Sequence, residues 1–475
     1  MLFTSPEFIF FFAIVLLVYY CLSGRAQNIF LIIASYFFYG CWDWRFCGLL
    51  LFSTLLNYFS ALIVSPKLPY RRVYLWVNIA GNLAVLGYFK YYNFFIQSFA
   101  TALSYLGFHP YLPVLQIILP IGISFYTFQL MGYTIDVYKG RIPATREFIP
   151  VAAFMSFFPQ LLAGPIERAE RMIPQFQECR TVNADKISSG LLLILLGFFK
   201  KIAIADAVAL IVNDIFANAS TASWPELIGG LWFFAIQLYC DFSGYTDIAR
   251  GVSRLLGFEL MENFRQPFLS HNITEFWRRW HISLSTWVLD YLYMPLVLRG
   301  IRKGKPRENL NMVFTMIVMG LWHGAAWNFV FFGGIHGFYL VLHKLVARGR
   351  RIMFNHHGAS KTQWIQFIIK VFITFNFVCL SLLFFREQRL EQIANYGMGI
   401  VMLRGGLEGC GFYIAKLFFF CGLVLMIDIP QYLKNDQTVM LTWSWKLQGV
   451  VYGFMIILMI LLAPGNETPF IYFQF

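Results

Sequence analysis

The chain has 475 residues, 59% of them hydrophobic and only 13% charged, which excludes a soluble globular protein and predicts an all-α polytopic membrane protein. A formal net charge of +13 would suggest nucleic acid in a soluble chain. Here the Lys and Arg excess lies in short loops, where it orients a membrane protein, so lipid bilayer and not nucleic acid is the expected environment. The eight cysteines form no C-x-x-C pair, and no H-E-x-x-H, Walker A or dinucleotide fingerprint occurs; neither a metal nor a permanently bound cofactor is expected.

About twelve apolar runs are long enough to span, at roughly 20 residues each. The first, Phe8–Leu22, has no basic residue before it, so it reads as a retained span and not a cleaved signal. Arg25 and Lys67–Arg72 fall in alternate loops, which places the N-terminus outside; twelve spans then place the C-terminus outside as well. After the Val73–Leu106 run, His109, Pro110 and Pro113 mark an external loop. Gln129 and Asp136 in the Leu119–Gly140 run read as helix-packing hydrogen-bonders. Met155–Phe176 is broken by Pro159, Gly164, Pro165 and Pro174, and such backbone at membrane depth must be buried in protein or line a cavity. Arg168 within it could meet the phosphates of a donor or sit on a solvated cytoplasmic face. Lys200 and Lys201 lie inside the Ile187–Phe216 span, and Asp247, Arg250 and Arg254 have helical pairing spacing within Trp224–Leu256.

The stretch from Asn272 to His336 carries the chemistry. NITEFWRRWHISLSTW reads as one helix, with Trp277, Trp280, Leu284 and Trp287 as an apolar stripe and Thr274, Arg278, His281 and Ser285 on an adjacent face. It is either an interfacial helix with a tryptophan belt or a helix turning His281 toward a cavity shared with His323; spacing leaves both open. NMVFTMIVMGLWHGAAWNFVFF sets His323 in the middle of an apolar run, where histidine is costly and marks a functional candidate beside the plainer role of a helix-packing residue. Gly320 and Gly324 beside it would admit another backbone or an acyl chain. The basic loops Arg299–Arg307 and Lys344–Arg351, with His356 and His357, read as solvent-exposed. Trp364–Phe385, Tyr413–Ile429 and Trp445–Leu462 close a single transmembrane domain, residues 1–463. Residues 464–475 form an aromatic tail ending FIYFQF, which either packs as a plug or delivers Tyr472 into a pocket.

Moving an acyl group from a thioester to a hydroxyl needs a base near neutral pKa and donors for the developing oxyanion, and histidine suits the first role. A transport or polymer-export subunit relaying protons through the histidines is the competing class; it would show substrate flux and no donor turnover.

Five motifs occur in order: LPIGISFYTFQLMGYTIDVYKG, FFPQLLAGPIER, QLYCDFSGYTDIARG, NFRQPFLSHNITEFWRRWHISLSTW and GLWHGAAWNF. Together they resemble the membrane-bound O-acyltransferase (MBOAT) superfamily, and within it the bacterial alginate O-acetyltransferase branch, over nearly the whole chain. The resemblance implies about eleven core transmembrane helices plus re-entrant segments around a membrane-crossing tunnel, with an additional C-terminal helix. It implies His323 as the catalytic histidine, His281 as the second active-site position and Tyr472 as acyl acceptor. Arg278, Gly320, Gly324, Trp327, Asn328 and Arg168 would support the donor or the tunnel. It further implies acetyl-CoA as acyl-donor substrate, a periplasmic SGNH-type acetyltransferase and polysaccharide-synthesis machinery as partners, and a bacterial inner-membrane location. D-alanyl transfer from a carrier protein is the nearest enzymatic alternative. Leu289 before Asp290, and Leu296–Arg299 after Pro295, depart from the branch's pattern, so alginate itself is not assigned as the polymer.

Overall fold

The computed structural model describes residues 1–65, 69–110, 112–347, 353–354, 358–407, 410–464 and 470–471. Tyr472, Lys67, His356 and His357 lie outside the described residues. Among the described residues every regular element is helical. Six helices are long and apolar enough to cross a membrane: Arg45–Ile63, Trp224–Leu255, Trp327–Val346, Lys361–Arg386, Cys410–Lys434 and Trp445–Leu462. That is fewer than the dozen runs counted by hydropathy, because apolar sequence does not ensure an unbroken α-helix. Residues 71–105 and 184–217 reach spanning length only by running through the π-turns Gly87–Tyr91 and Phe199–Asp206, and the Glu308–His323 helix stops at its histidine.

The chain divides into two compact units, Met1–Leu191 with Ala249–Met261, and Leu192–Ile248 with Glu262–Phe475. In the first, buried polar side chains join helices that apolar contact alone would leave free to slide. Asn57 on Arg45–Ile63 donates to Asn82 at 3.0 Å and accepts from Asn78 at 3.1 Å and from Thr134 at 3.2 Å. Gln129 donates to the Phe154 carbonyl at 3.1 Å, and Asp136 meets Arg141 at 3.1 Å, so both act within the packing. The interrupted segment is buried through residue 167 and reaches the surface at Glu170, Arg171 and Pro174: helix Phe148–Ser156 ends, a single turn Phe158–Leu161 follows, and Glu167 accepts from the Met261 amide at 2.5 Å. Gly122, at φ 79°, precedes helix Ile123–Lys139; a Cβ there would stand 2.5 Å from the Leu161 carbonyl, so no other residue fits this crossing.

In the second unit the Trp224–Leu255 helix, 83% buried over its apolar window, supplies residues 224–248 as the central element. Lys200 and Lys201 face it and are neutralised by carboxylates. Lys200 meets Asp247 at 2.9 Å, and Lys201 meets Asp206 and Asp241, each at 2.7 Å. Trp445–Leu462, by contrast, buries only Met455 and Leu458 and reads as a lipid-facing helix.

Candidate active site

The predicted helix through Asn272–Trp287 breaks at its histidine. Asn272 caps Ile273–Arg279 by accepting from the Glu275 amide at 2.8 Å, and that helix ends before Trp280. His281 then adopts φ 44° and ψ 54°, left-handed backbone that a non-glycine residue holds only against a cost, and Ile282–Val288 begins after it. The helical spacing of the tryptophans is therefore fortuitous across this point. Asn263, from an irregular loop, fixes the break. Its backbone carbonyl accepts from the Ile282 amide at 2.9 Å, and its Oδ1 accepts from the Ser283 amide at 3.2 Å and the Ser283 hydroxyl at 2.7 Å.

That Oδ1 also lies 3.3 Å from His281 Nδ1. An amide N–H can only donate, so the atom facing Ser283 is the carbonyl oxygen and His281 Nδ1 must carry a proton. Neutral His281 thus keeps its lone pair on Nε2. The ring is fully buried and packs edge-on against Phe242, with centroids 4.8 Å apart.

His323 is not mid-helix, as the apolar run suggested; it is the last residue of Glu308–His323, and Gly324 turns extended at φ −156°. The next helix, Trp327–Val346, returns antiparallel against it. Gly320 makes this possible: a Cβ would stand 2.2 Å from the Phe329 carbonyl, so a backbone does approach there. At Gly324 the neighbour is the Phe329 ring, 2.0 Å from the position a Cβ would take. The close turn leaves the His323 ring 6.5 Å from that of His281, with Trp322 beside both at 5.0 and 5.8 Å.

A small cavity of about 10 Å³, room for about one water molecule, lies against His323, Trp277, Trp280, Phe332, Phe385 and a third buried histidine, His336. The sequence reading assigned no role to His336. Ser381 donates its single proton to the Val378 carbonyl at 2.6 Å, so at 2.8 Å from His336 Nε2 its oxygen accepts. His336 therefore carries its proton on Nε2 and a lone pair on Nδ1, for which no partner exists among the described residues. The only sequence signal was a histidine after Gly-Gly in an apolar helix; its serine lies 45 residues away.

A second cavity, about 350 Å³ and more open, is lined by Thr274, Arg278, Ser285, Tyr293, Thr315 and neighbouring apolar side chains. Trp277 forms a wall of both cavities. Asn328 donates to the Phe384 carbonyl at 3.0 Å and ties Trp327–Val346 to Lys361–Arg386. Trp327 is 55% exposed and lines neither of these two cavities. Arg168, at the N-cap of Ala169–Gln177, belongs to the other compact unit.

His281 and His323 are thus buried with their rings 6.5 Å apart in a helical membrane protein, and Trp277 lines both the small cavity against His323 and the larger one with Arg278 on its wall. Residues 142–385 match the model of the membrane-bound O-acyltransferase family. The chain is 36% identical over 502 residues to a probable alginate O-acetylase AlgI of Pseudomonas putida, covering all of both chains. It is 33% identical over 536 residues to a peptidoglycan O-acetyltransferase of Helicobacter pylori, covering all of this chain and 98% of that one. A teichoic acid D-alanyltransferase of Bacillus subtilis is 30% identical over 287 residues, 58% of this chain and 71% of that one. The chain belongs to the membrane-bound O-acyltransferase family and is an O-acyltransferase of the membrane.

Proposed function

We propose that the chain takes an acetyl group from cytoplasmic acetyl-CoA and passes it across the bacterial inner membrane for O-acetylation of an extracytoplasmic polysaccharide. The observation that carries this reading is the buried approach of His281 and His323. His323 takes the proton of the acceptor hydroxyl as its oxygen attacks the thioester carbonyl. His281 orients the reactants or, when protonated, donates to the oxyanion; collapse then breaks the C–S bond, and the thiolate leaves as the thiol once it regains a proton. The larger cavity, with Arg278 on its wall, suits the donor arm, and Trp277 separates it from His323.

The acceptor is Tyr472 of the C-terminal tail, whose phenyl ester is more readily passed on than an alkyl ester, and a periplasmic SGNH-type acetyltransferase receives the group. Both termini then face the periplasm. Acetyl is favoured over D-alanyl because the two relatives that match along their whole lengths are named for O-acetylation. The test is to incubate the purified chain with isotope-labelled acetyl-CoA, or with D-alanyl carrier protein in parallel, and examine the C-terminal peptide by mass spectrometry. Label on Tyr472 from acetyl-CoA, lost in His323→Ala, supports the reading. Label persisting in His323→Ala removes His323 as the base.

A further inference from the structure

Phe470 and Ile471 are buried, 2% and 3% exposed, although they follow the least buried of the six spanning helices. Three side chains from the centre of the second unit hold them. The Ile471 amide donates to Asp241 Oδ2 at 2.7 Å. The Phe470 ring stands edge-on to Tyr245 with centroids 4.7 Å apart, and Lys201 Nζ lies 4.5 Å from its centroid. Asp241 and Tyr245 are four residues apart and so share one helix face.

We infer that Lys201, Asp241 and Tyr245 form a docking site for the C-terminal segment of this same chain. The division of labour at Asp241 supports this. One carboxylate oxygen accepts from Lys201, which is itself shared with Asp206, and the other is turned to a main-chain amide of the tail. A buried carboxylate oxygen needs a donor, and here the tail supplies it. Recognition of one amide and one ring reads position along the tail more than its side-chain charge.

The docking site also adjoins the candidate reaction centre. Phe242, the next residue after Asp241, packs on His281. One helix thus touches the tail with one residue and the active-site histidine with its neighbour. On the reading that Tyr472 accepts the acyl group, on which this role rests, docking of Ile471 presents the very next residue for loading, and undocking frees it for the following transfer.

The test is hydrogen–deuterium exchange of the C-terminal peptide in the full-length chain purified in detergent, for the parent, Asp241→Ala and Phe470→Ala. Phe470→Ala leaves the buried ion cluster intact, so a folding defect in Asp241→Ala does not decide the matter. Docking predicts that exchange at the Ile471 amide accelerates at least about tenfold in Phe470→Ala and in any folded Asp241→Ala. Unchanged exchange in Phe470→Ala overturns the docking site. The readout involves no acyl donor: accelerated exchange with no label on Tyr472 keeps the docking site and discards the relay, whereas label with unchanged exchange does the reverse.

Discussion

The imidazoles of His281 and His323 stand 6.5 Å apart at an interplanar angle of 57°, each placed by a break in a helix. His323→Ala should lower acyl transfer by about 10²–10⁴-fold, the usual share of a positioned base, while the melting temperature of the purified protein stays near that of the parent. A well-folded variant with retained turnover, measured with either donor, would remove His323 from the mechanism.

Asn263 should matter through the chain break that places His281, since its own side chain lines neither cavity described. Asn263→Ala removes the acceptor that fixes His281 Nδ1–H and leaves Ser283 without its acceptor. Turnover should fall by about tenfold or more with donor affinity little changed, because the lost function is orientation. A rise in KM with constant kcat would instead assign Asn263 to donor binding.

Gly320→Ala should be strongly destabilising, by about 1–3 kcal/mol or more, because the new methyl would overlap the Phe329 carbonyl and push two backbones apart. Gly334→Ala, one position from the crossing residue Gly333, meets nothing closer than 4.0 Å and should be tolerated. Thermal melts of the pair in one detergent read the contrast directly.

Much of this was legible. Composition gave the membrane class, and the two histidines in NITEFWRRWHISLSTW and GLWHGAAWNF were singled out from sequence. What was not legible is non-local. The apolar spacing of Trp277, Trp280 and Leu284 continues smoothly through a point where Asn263 forces left-handed backbone. Ser381 sets the tautomer of His336 from another helix, and Lys200 and Lys201 look like stray charges until Asp241 and Asp247 fold onto them. Hydropathy registers that a run is apolar; it does not register where a partner 18 residues away will end the helix.

Glu275 gives a pH prediction. Burial alone would push its carboxyl up, but the hydrogen bond from His271 and the charge of Arg279 outweigh burial and hold it below the ordinary value of 4.5. A depressed carboxyl stabilises the fold above its unfolded-state pKa, and that contribution is lost as pH falls through the lower folded value. Acid should therefore lower the melting temperature of the parent over that range, and Glu275→Gln should flatten this limb. An equally steep acid limb in Glu275→Gln would assign the loss to other carboxylates.

Ser381→Ala leaves the His336 Nε2–H buried without its acceptor, at a cost of about 1–3 kcal/mol, and frees the ring to take the other tautomer. Ser381→Thr restores the acceptor and should recover most of the melting temperature. Equal loss in both variants would mean that volume, and not the hydrogen bond, governs the site.

The pairing of Lys200 and Lys201 with Asp247 and Asp241 also bears on how the protein reaches the bilayer. The cations belong to the helical run 184–217 and these anions to the helix that follows it; Asp206 meets Lys201 within the run, but Lys200 pairs across to Asp247, so hydrocarbon penalises its charge until the two helices pack. Insertion of the two as a hairpin would let these charges neutralise one another before lipid surrounds them.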